Sequence, residues 1–426
     1  MLTTSLLFTL LMYTTLCHSQ SPVPTIENTK AINEYQNPAS ITNPYYINIA
    51  KQLHERGFWG QGVIVAVIDA GFSGVDRMLD DSATDIEIQN YSSFTNYDNS
   101  VFQISDHGTR VLSQLATLDH NFMFGTAPKS TYLLATSEDI TRECRMEEKQ
   151  WEEAMNWANT QGAQIICSSL NYSTFDNPIE NYNWDSLDGN TSTITKAVDE
   201  ASRRGILVVC SAGNEGRSTW RKIGMPCDAD SVLCVGSIDS QGKKSHFSSW
   251  GPTADGRIKP DVVALGDNVM VINENKEVKI DDGTSFAAPQ VAGLAACLWS
   301  ACSKATAMDV RESIVQSSNR FSNPDTGYGF GFPDALLALK ILTDKCDLLH
   351  YTENLTNETL TVSINQKHPV NYFLTLFSEC GDTLFTAILK SEQQSVLIPI
   401  EKIASGKEIL VIKSIYGYHE KQIYFK

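Results

Sequence analysis

Continuous apolar runs alternate with stretches of helical periodicity along most of this chain. Residues 62–68 form a β-branched run without a polar position, the pattern of a strand buried on both faces. Residues 131–135, 163–167 and 205–210 are similar, mostly apolar runs. Between them, 108–117, 147–161 and 193–204 read as helices. Strand–helix–strand repetition predicts a mainly parallel sheet with helices on both faces, a three-layer α/β/α domain over 46–343. Sites in such sheets gather beyond the carboxyl ends of the strands. Asp69 ends the first run, His107 precedes a helix, and Asn214 follows 205–210 closely.

Near 344 the texture changes. Residues 359–364, 372–377 and 408–412 read as strands, separated by turn-like breaks at Cys380-Gly381-Asp382 and Ser405-Gly406-Lys407. They predict a small all-β sandwich over 350–426, joined to the first domain through 343–349. Residues 20–45, rich in Pro, Asn, Ser and Thr, read as an irregular arm.

The N-terminus begins a short apolar stretch, Leu6-Leu7-Phe8-Thr9-Leu10-Leu11-Met12, too short to span a bilayer. It reads as a signal peptide over 1–19 and predicts an exported protein, secreted or at the cell surface. No later segment reads as a transmembrane helix. A net charge of −17 argues against nucleic acid or an anionic membrane as partner. Removing the signal takes Cys17 and leaves nine of the 10 cysteines; export permits disulfides among them, with at least one thiol unpaired or paired outside the chain. Cys227 and Cys234 are placed to close a small loop, and Cys346 with Cys380 to tie the C-terminal region. Cys167, Cys210 and Cys297 sit in apolar segments, where a buried free thiol is at least as expected as a bridge.

Three segments carry candidate chemistry: Ile68-Asp69-Ala70-Gly71, His107-Gly108-Thr109 and Gly283-Thr284-Ser285-Phe286-Ala287-Ala288-Pro289. A serine hydroxyl is a weak nucleophile until a neighbouring base takes its proton. Ser285 opens a small-residue helix, whose start offers free N–H groups to a developing anion. Pro289 is expected within the first turn, where a missing N–H costs little. With Ala212-Gly213-Asn214-Glu215-Gly216, and in the order Asp…His…Ser, these segments resemble the subtilisin-like serine peptidase family over about 46–340. The resemblance implies a secreted endopeptidase acting on proteins or peptides through an acyl-enzyme. Ser285 would be nucleophile, His107 general base and acid, Asp69 its orienting carboxylate, and Asn214 a side-chain donor to the oxyanion.

Ser168-Ser169-Leu170-Asn171 matches the family's substrate-pairing Ser-Leu-Gly segment, with Asn171 where glycine is usual. The resemblance extends substrate contact to Ala212 and Gly213. An Asn171 side chain is expected to narrow the specificity pocket or add a polar contact. The chemistry requires no cofactor. Family members often bind structural calcium, and Asp76, Asp80, Asp81 and Asp85 cluster, although without calcium-loop spacing. No Cys/His zinc spacing is present, and His120 and His246 read as structural or surface groups. No inhibitory prodomain is evident, since the signal and Asp69 lie 50 residues apart (69 − 19) and the opening strand uses many of them. That departure and Asn171 are the support for the alternative, a catalytically silent binding protein on the same fold. Residues 350–426 more loosely resemble the β-sandwich sorting domain of Bacteroidetes type IX secretion, which would make that machinery a partner.

Overall fold

A computed structural model describes residues 48–345, apart from 80, 82–83, 96–99 and 117–124, together with the strands between 351 and 425. The expected signal peptide, the N-terminal arm, Asp80, His120 and the Cys346/Cys380 pair lie outside the described residues. Two compact units divide the chain between Leu342 and Thr343.

In the first unit, seven strands form one sheet: β1 (Ile64–Asp69), β2 (Glu87–Ser93), β3 (Thr131–Thr136), β4 (Ile165–Ser168), β5 (Leu207–Ser211), β6 (Leu233–Ile238) and β7 (Val262–Leu265). Their order is β2-β3-β1-β4-β5-β6-β7, and every pairing is parallel. The apolar runs become the interior strands because both of their faces are covered. Alternation within β1 assigns the faces. Ala66 and Ile68 join Trp151, Ala154 and Met155 of α4 (Met146–Thr160) and Val198 of α5 (Thr193–Arg203) in one core. Val65, Val67 and Asp69 therefore point the other way, toward α3 (His107–Leu115), which packs on β1 and on α6 (Thr284–Ala301). Two short helices, α1 (Lys51–His54) and α2 (Val75–Met78), precede these, and α7 (Ala307–Gln316) and α8 (Ala335–Lys345) follow.

Register aligns the carboxyl ends. Ile68 pairs with Ser168, Ser168 with Cys210, and Ser211 with Val235. Asp69, Ser168 and Ser211 thus end neighbouring strands at one edge of the sheet. An antiparallel hairpin of β8 (Val269–Ile272) and β9 (Val278–Asp281) leads into α6.

Two cysteine expectations are met. Cys227 and Cys234 form a disulfide, and Cys167, Cys210 and Cys297 are buried free thiols. Cys144 is free and half-buried. Cys302 is also disulfide-bonded.

From Tyr351 on, the described residues of the second unit are all in β-strands or their connections. β10 (Tyr351–Leu355), β11 (Thr359–Ile364) and β14 (Ser395–Pro399) make one antiparallel sheet. β12 (Tyr372–Phe377), β13 (Thr383–Leu389), β15 (Gly406–Ser414) and β16 (Gly417–Phe425) make the other. Leu360, Val362, Leu374, Leu376, Leu410 and Ile412 alternate inward to a shared core. Gly406 and Lys407, expected in a turn, instead begin β15, because Gly406 pairs with Phe425 and the ladder starts there.

Candidate active site

Asp69 is fully buried at the end of β1, on the face its parity dictates. His107 is the first residue of α3, and its Nδ1 lies 2.6 Å from Asp69 Oδ1. The Ala70 N–H also donates to Asp69 Oδ1, at 2.7 Å. Gly108 lets this helix approach, since a Cβ there would come within 2.5 Å of the Gly71 carbonyl oxygen. Burial opposes a charge on the imidazole, but the Asp69 charge and hydrogen bond outweigh it and raise the His107 pKa above its ordinary 6.5. Asp106 adds to that rise and Arg110 opposes it.

Ser285 is the second residue of α6, and the ring of the following Phe286 lies 6.3 Å from that of His107. Two bonds attach Ser285 to the 168–171 segment. Its hydroxyl lies 3.5 Å from the Ser169 carbonyl oxygen, and the Ser169 hydroxyl donates to the Ser285 carbonyl at 2.9 Å. The second bond has a covalent cause. Pro289 stands in the second turn of α6, not the first, and has no N–H to give to the carbonyl four residues back. That carbonyl belongs to Ser285, and the Ser169 hydroxyl takes the place of the missing donor.

Asn214 is exposed beyond β5, and its Oδ1 accepts from both the N–H and the hydroxyl of Thr284, each at 3.0 Å. Because an N–H can only donate, the facing atom must be the amide oxygen. The Nδ2 donor is consequently turned away from Thr284. Gly213 N–H donates to Thr284 Oγ1 at 3.2 Å, so the 211–214 segment is fastened to the start of α6 at two places.

The remaining sequence candidates divide by burial. Ser168 and Ala212 are fully buried; the Ser168 hydroxyl accepts from the Trp151 indole at 2.9 Å, and the Ala212 carbonyl from Gly224. Leu170 is 9% exposed. Asn171 is half-buried, and its Nδ2 donates to the Ser211 carbonyl at 2.7 Å. It fits because two glycines flank it. A Cβ on Gly213 would lie 2.9 Å from Asn171 Oδ1, and one on Gly224 2.8 Å from Asn171 Cβ.

Among the described residues, one group has the makings of a hard-cation site: carboxylate oxygens of Glu138, Glu143 and Glu147 lie within 4.8 Å of one another. Burial and then the charge of Glu147 push the Glu138 carboxyl well above its ordinary range, while Tyr172 donates to it at 2.5 Å. Burial, Glu147 and Asp176 push Glu143 up to about 7. The sequence reading missed this trio, whose spacing matches no calcium loop. Of the acidic residues it did single out, Asp81 pairs with Lys276 at 2.6 Å.

The profile of the Subtilase family matches residues 60–331. The chain is 30% identical over 294 residues to subtilisin of Bacillus pumilus, covering 68% of this chain and 95% of that one. It is 29% identical over 313 residues to a thermostable alkaline protease of Halalkalibacterium halodurans, covering 72% and 77%. Among solved structures, the prenylagaramide maturation protease PagA superposes with a TM-score of 0.54 at 23% identity, over 69% of this chain and 98% of that one. MycP1 from Mycobacterium smegmatis does so with 0.53 at 21%, over 67% and 82%.

Proposed function

Because the chain belongs to the subtilase family, we propose that it is a secreted serine endopeptidase that hydrolyses peptide bonds with Asp69, His107 and Ser285. The observation that carries the reading is the 2.6 Å bond from His107 to buried Asp69, with Ser285 held in the first turn of α6. With Nδ1 engaged by the carboxylate, Nε2 is the nitrogen left to take the Ser285 proton as the hydroxyl oxygen attacks the scissile carbonyl. The imidazolium then gives that proton to the leaving amine, and the acyl group remains on Ser285. Water, deprotonated by the same nitrogen, releases the acid and restores the serine. Asp69 holds the tautomer and stabilises the imidazolium throughout.

The negative charge that develops on the carbonyl oxygen meets Asn214 Nδ2 and the Ser285 N–H. The latter belongs to the first turn of α6, where helical N–H groups have no intrahelical acceptor. Residues 169–171 and 213 flank the extended substrate, with Asn171 narrowing the pocket for the side chain before the scissile bond. No cofactor takes part in these steps. Calcium, where bound, is structural in this reading and takes no part in the chemistry.

Export is supported by the N-terminal apolar stretch and by the Cys227–Cys234 disulfide, which persists in oxidising compartments. The C-terminal unit serves as an address for type IX secretion, a reading supported by its two antiparallel sheets and strand motifs. A fluorophosphonate probe tests the peptidase function: it should label the purified protein and not Ser285→Ala, and a peptide library should be cleaved only by the former. Equal absence of labelling in both would leave a silent binding protein.

A further inference from the structure

An ion pair joins the element that carries the base to the one that leads to the nucleophile. Arg110 lies one turn beyond His107 on α3, and its Nη1 donates to Oδ2 of Asp281, the last residue of β9. Asp282, Gly283 and Thr284 are all that separate Asp281 from Ser285. On the other side of the guanidinium, Nη2 lies 3.0 Å from Oδ1 of Asp106, the residue before His107. One cation is therefore held by a carboxylate from each segment, across 171 residues of sequence.

The last turn of α3 has attachments of its own. Gln114 donates to the Met270 carbonyl at 2.7 Å, and Ile272 N–H to the Ser113 hydroxyl at 3.1 Å. Those bonds hold the far end of the helix against β8; at the His107 end Gly108 N–H donates to the Gly71 carbonyl and the Thr109 hydroxyl to the Ser73 carbonyl, each at 2.8 Å, and Arg110 alone of these reaches the segment leading to Ser285. Arg110 and Asp281 are 25% and 33% exposed, so their pairing is a modest source of stability. Its position gives it another consequence.

We propose that Arg110 and Asp281 are positioning residues, whose ion pair fixes His107 relative to Ser285. The proposal rests on the peptidase reading and deepens it. Proton transfer from Ser285 to His107 is sensitive to their separation, and a misplacement of about 1 Å is enough to cost on the order of 100-fold in rate. The same guanidinium acts on the imidazole electrostatically. The charged groups that act on His107 are Asp69 from β1 and Asp106 and Arg110 at the start of its own helix; Phe286 brings an uncharged ring from α6.

The test compares Arg110→Met, Asp281→Asn and the double variant, each checked for native melting. Each single change should lower kcat by about 10- to 100-fold, with KM within about twofold. The double variant should be no slower than the slower single one, because both remove the same tie. NMR titration of the His107 ring gives a second readout that needs no turnover. Its pKa should rise in Arg110→Met, where an opposing cation is lost, and fall in Asp281→Asn, where that cation loses a neutralising partner. Unchanged kcat in both single variants, or losses that multiply in the double one, would overturn the proposal. So would His107 titration curves that coincide in all forms. Absence of cleavage by the unmodified protein would instead overturn the peptidase reading, and the titration would still decide whether the pair governs His107.

Discussion

Asn214 accepts the backbone N–H of Thr284 through its amide oxygen at 3.0 Å, although 70 residues separate them. That bond gives Asn214 two separable duties, to cap α6 and to aim Nδ2. Asn214→Asp keeps the acceptor for Thr284 but replaces the donor with a second carboxylate oxygen. It should keep the melting temperature of the parent and lose at least as much rate as Asn214→Ala. The loss expected for one oxyanion donor is about 2.7–4 kcal/mol, seen in kcat. A large drop in melting temperature for Asn214→Asp, or an unchanged kcat, would contradict this assignment.

The pH dependence follows from His107. Its pKa is raised above 6.5, and it must be neutral to accept the Ser285 proton. kcat/KM should therefore fall as pH drops through a midpoint above 6.5. The folding contribution runs the opposite way. Protonated His107 is favoured in the folded state, so its stabilisation is complete below 6.5 and is lost as pH rises through the higher folded value. A pH–rate profile with its acid midpoint below 6.5 would count against His107 as the base.

Ser169 and Pro289 are coupled through one carbonyl. Ser169→Ala leaves the buried Ser285 carbonyl without its 2.9 Å donor and should cost about 1–3 kcal/mol in denaturant unfolding. Adding Pro289→Ala supplies an N–H four residues on and should recover most of that loss. Strictly additive effects in the cycle would show that the hydroxyl does not substitute for the missing amide.

Asn171 should govern side-chain preference. Asn171→Gly removes the bond to the Ser211 carbonyl and opens the space beside Gly213 and Gly224. Profiling on a peptide library should then move toward larger residues before the scissile bond. An identical cleavage profile would place the pocket elsewhere.

Much of the frame was legible because burial on both faces selects unbroken β-branched runs. The 131–135 reading falls one residue short of β3, and 359–364 matches β11. β2 was not legible, since an edge strand with polar, exposed positions such as Gln89 and Asn90 carries no apolar signature. The β8–β9 hairpin is built from strands of four residues each, too short to show a period. Pro289 was placed one turn early because the sequence does not mark where α6 starts, which Thr284 and the Asn214 cap decide.

By itself the sequence determined the kinds of side chain available and their order: a carboxylate after a buried strand, an imidazole before a helix, a hydroxyl at the start of another. Those are local properties, fixed by burial pattern and helix starts. Tertiary structure decided which atoms face one another. The His107 Nδ1 contact with Asp69, the turned amide of Asn214, the Asn171 side chain against Ser211 and the gathered glutamates are all products of distant segments meeting. A hydrogen bond or ion pair is formed only within a few ångströms and along particular directions, and no spacing along the chain specifies either.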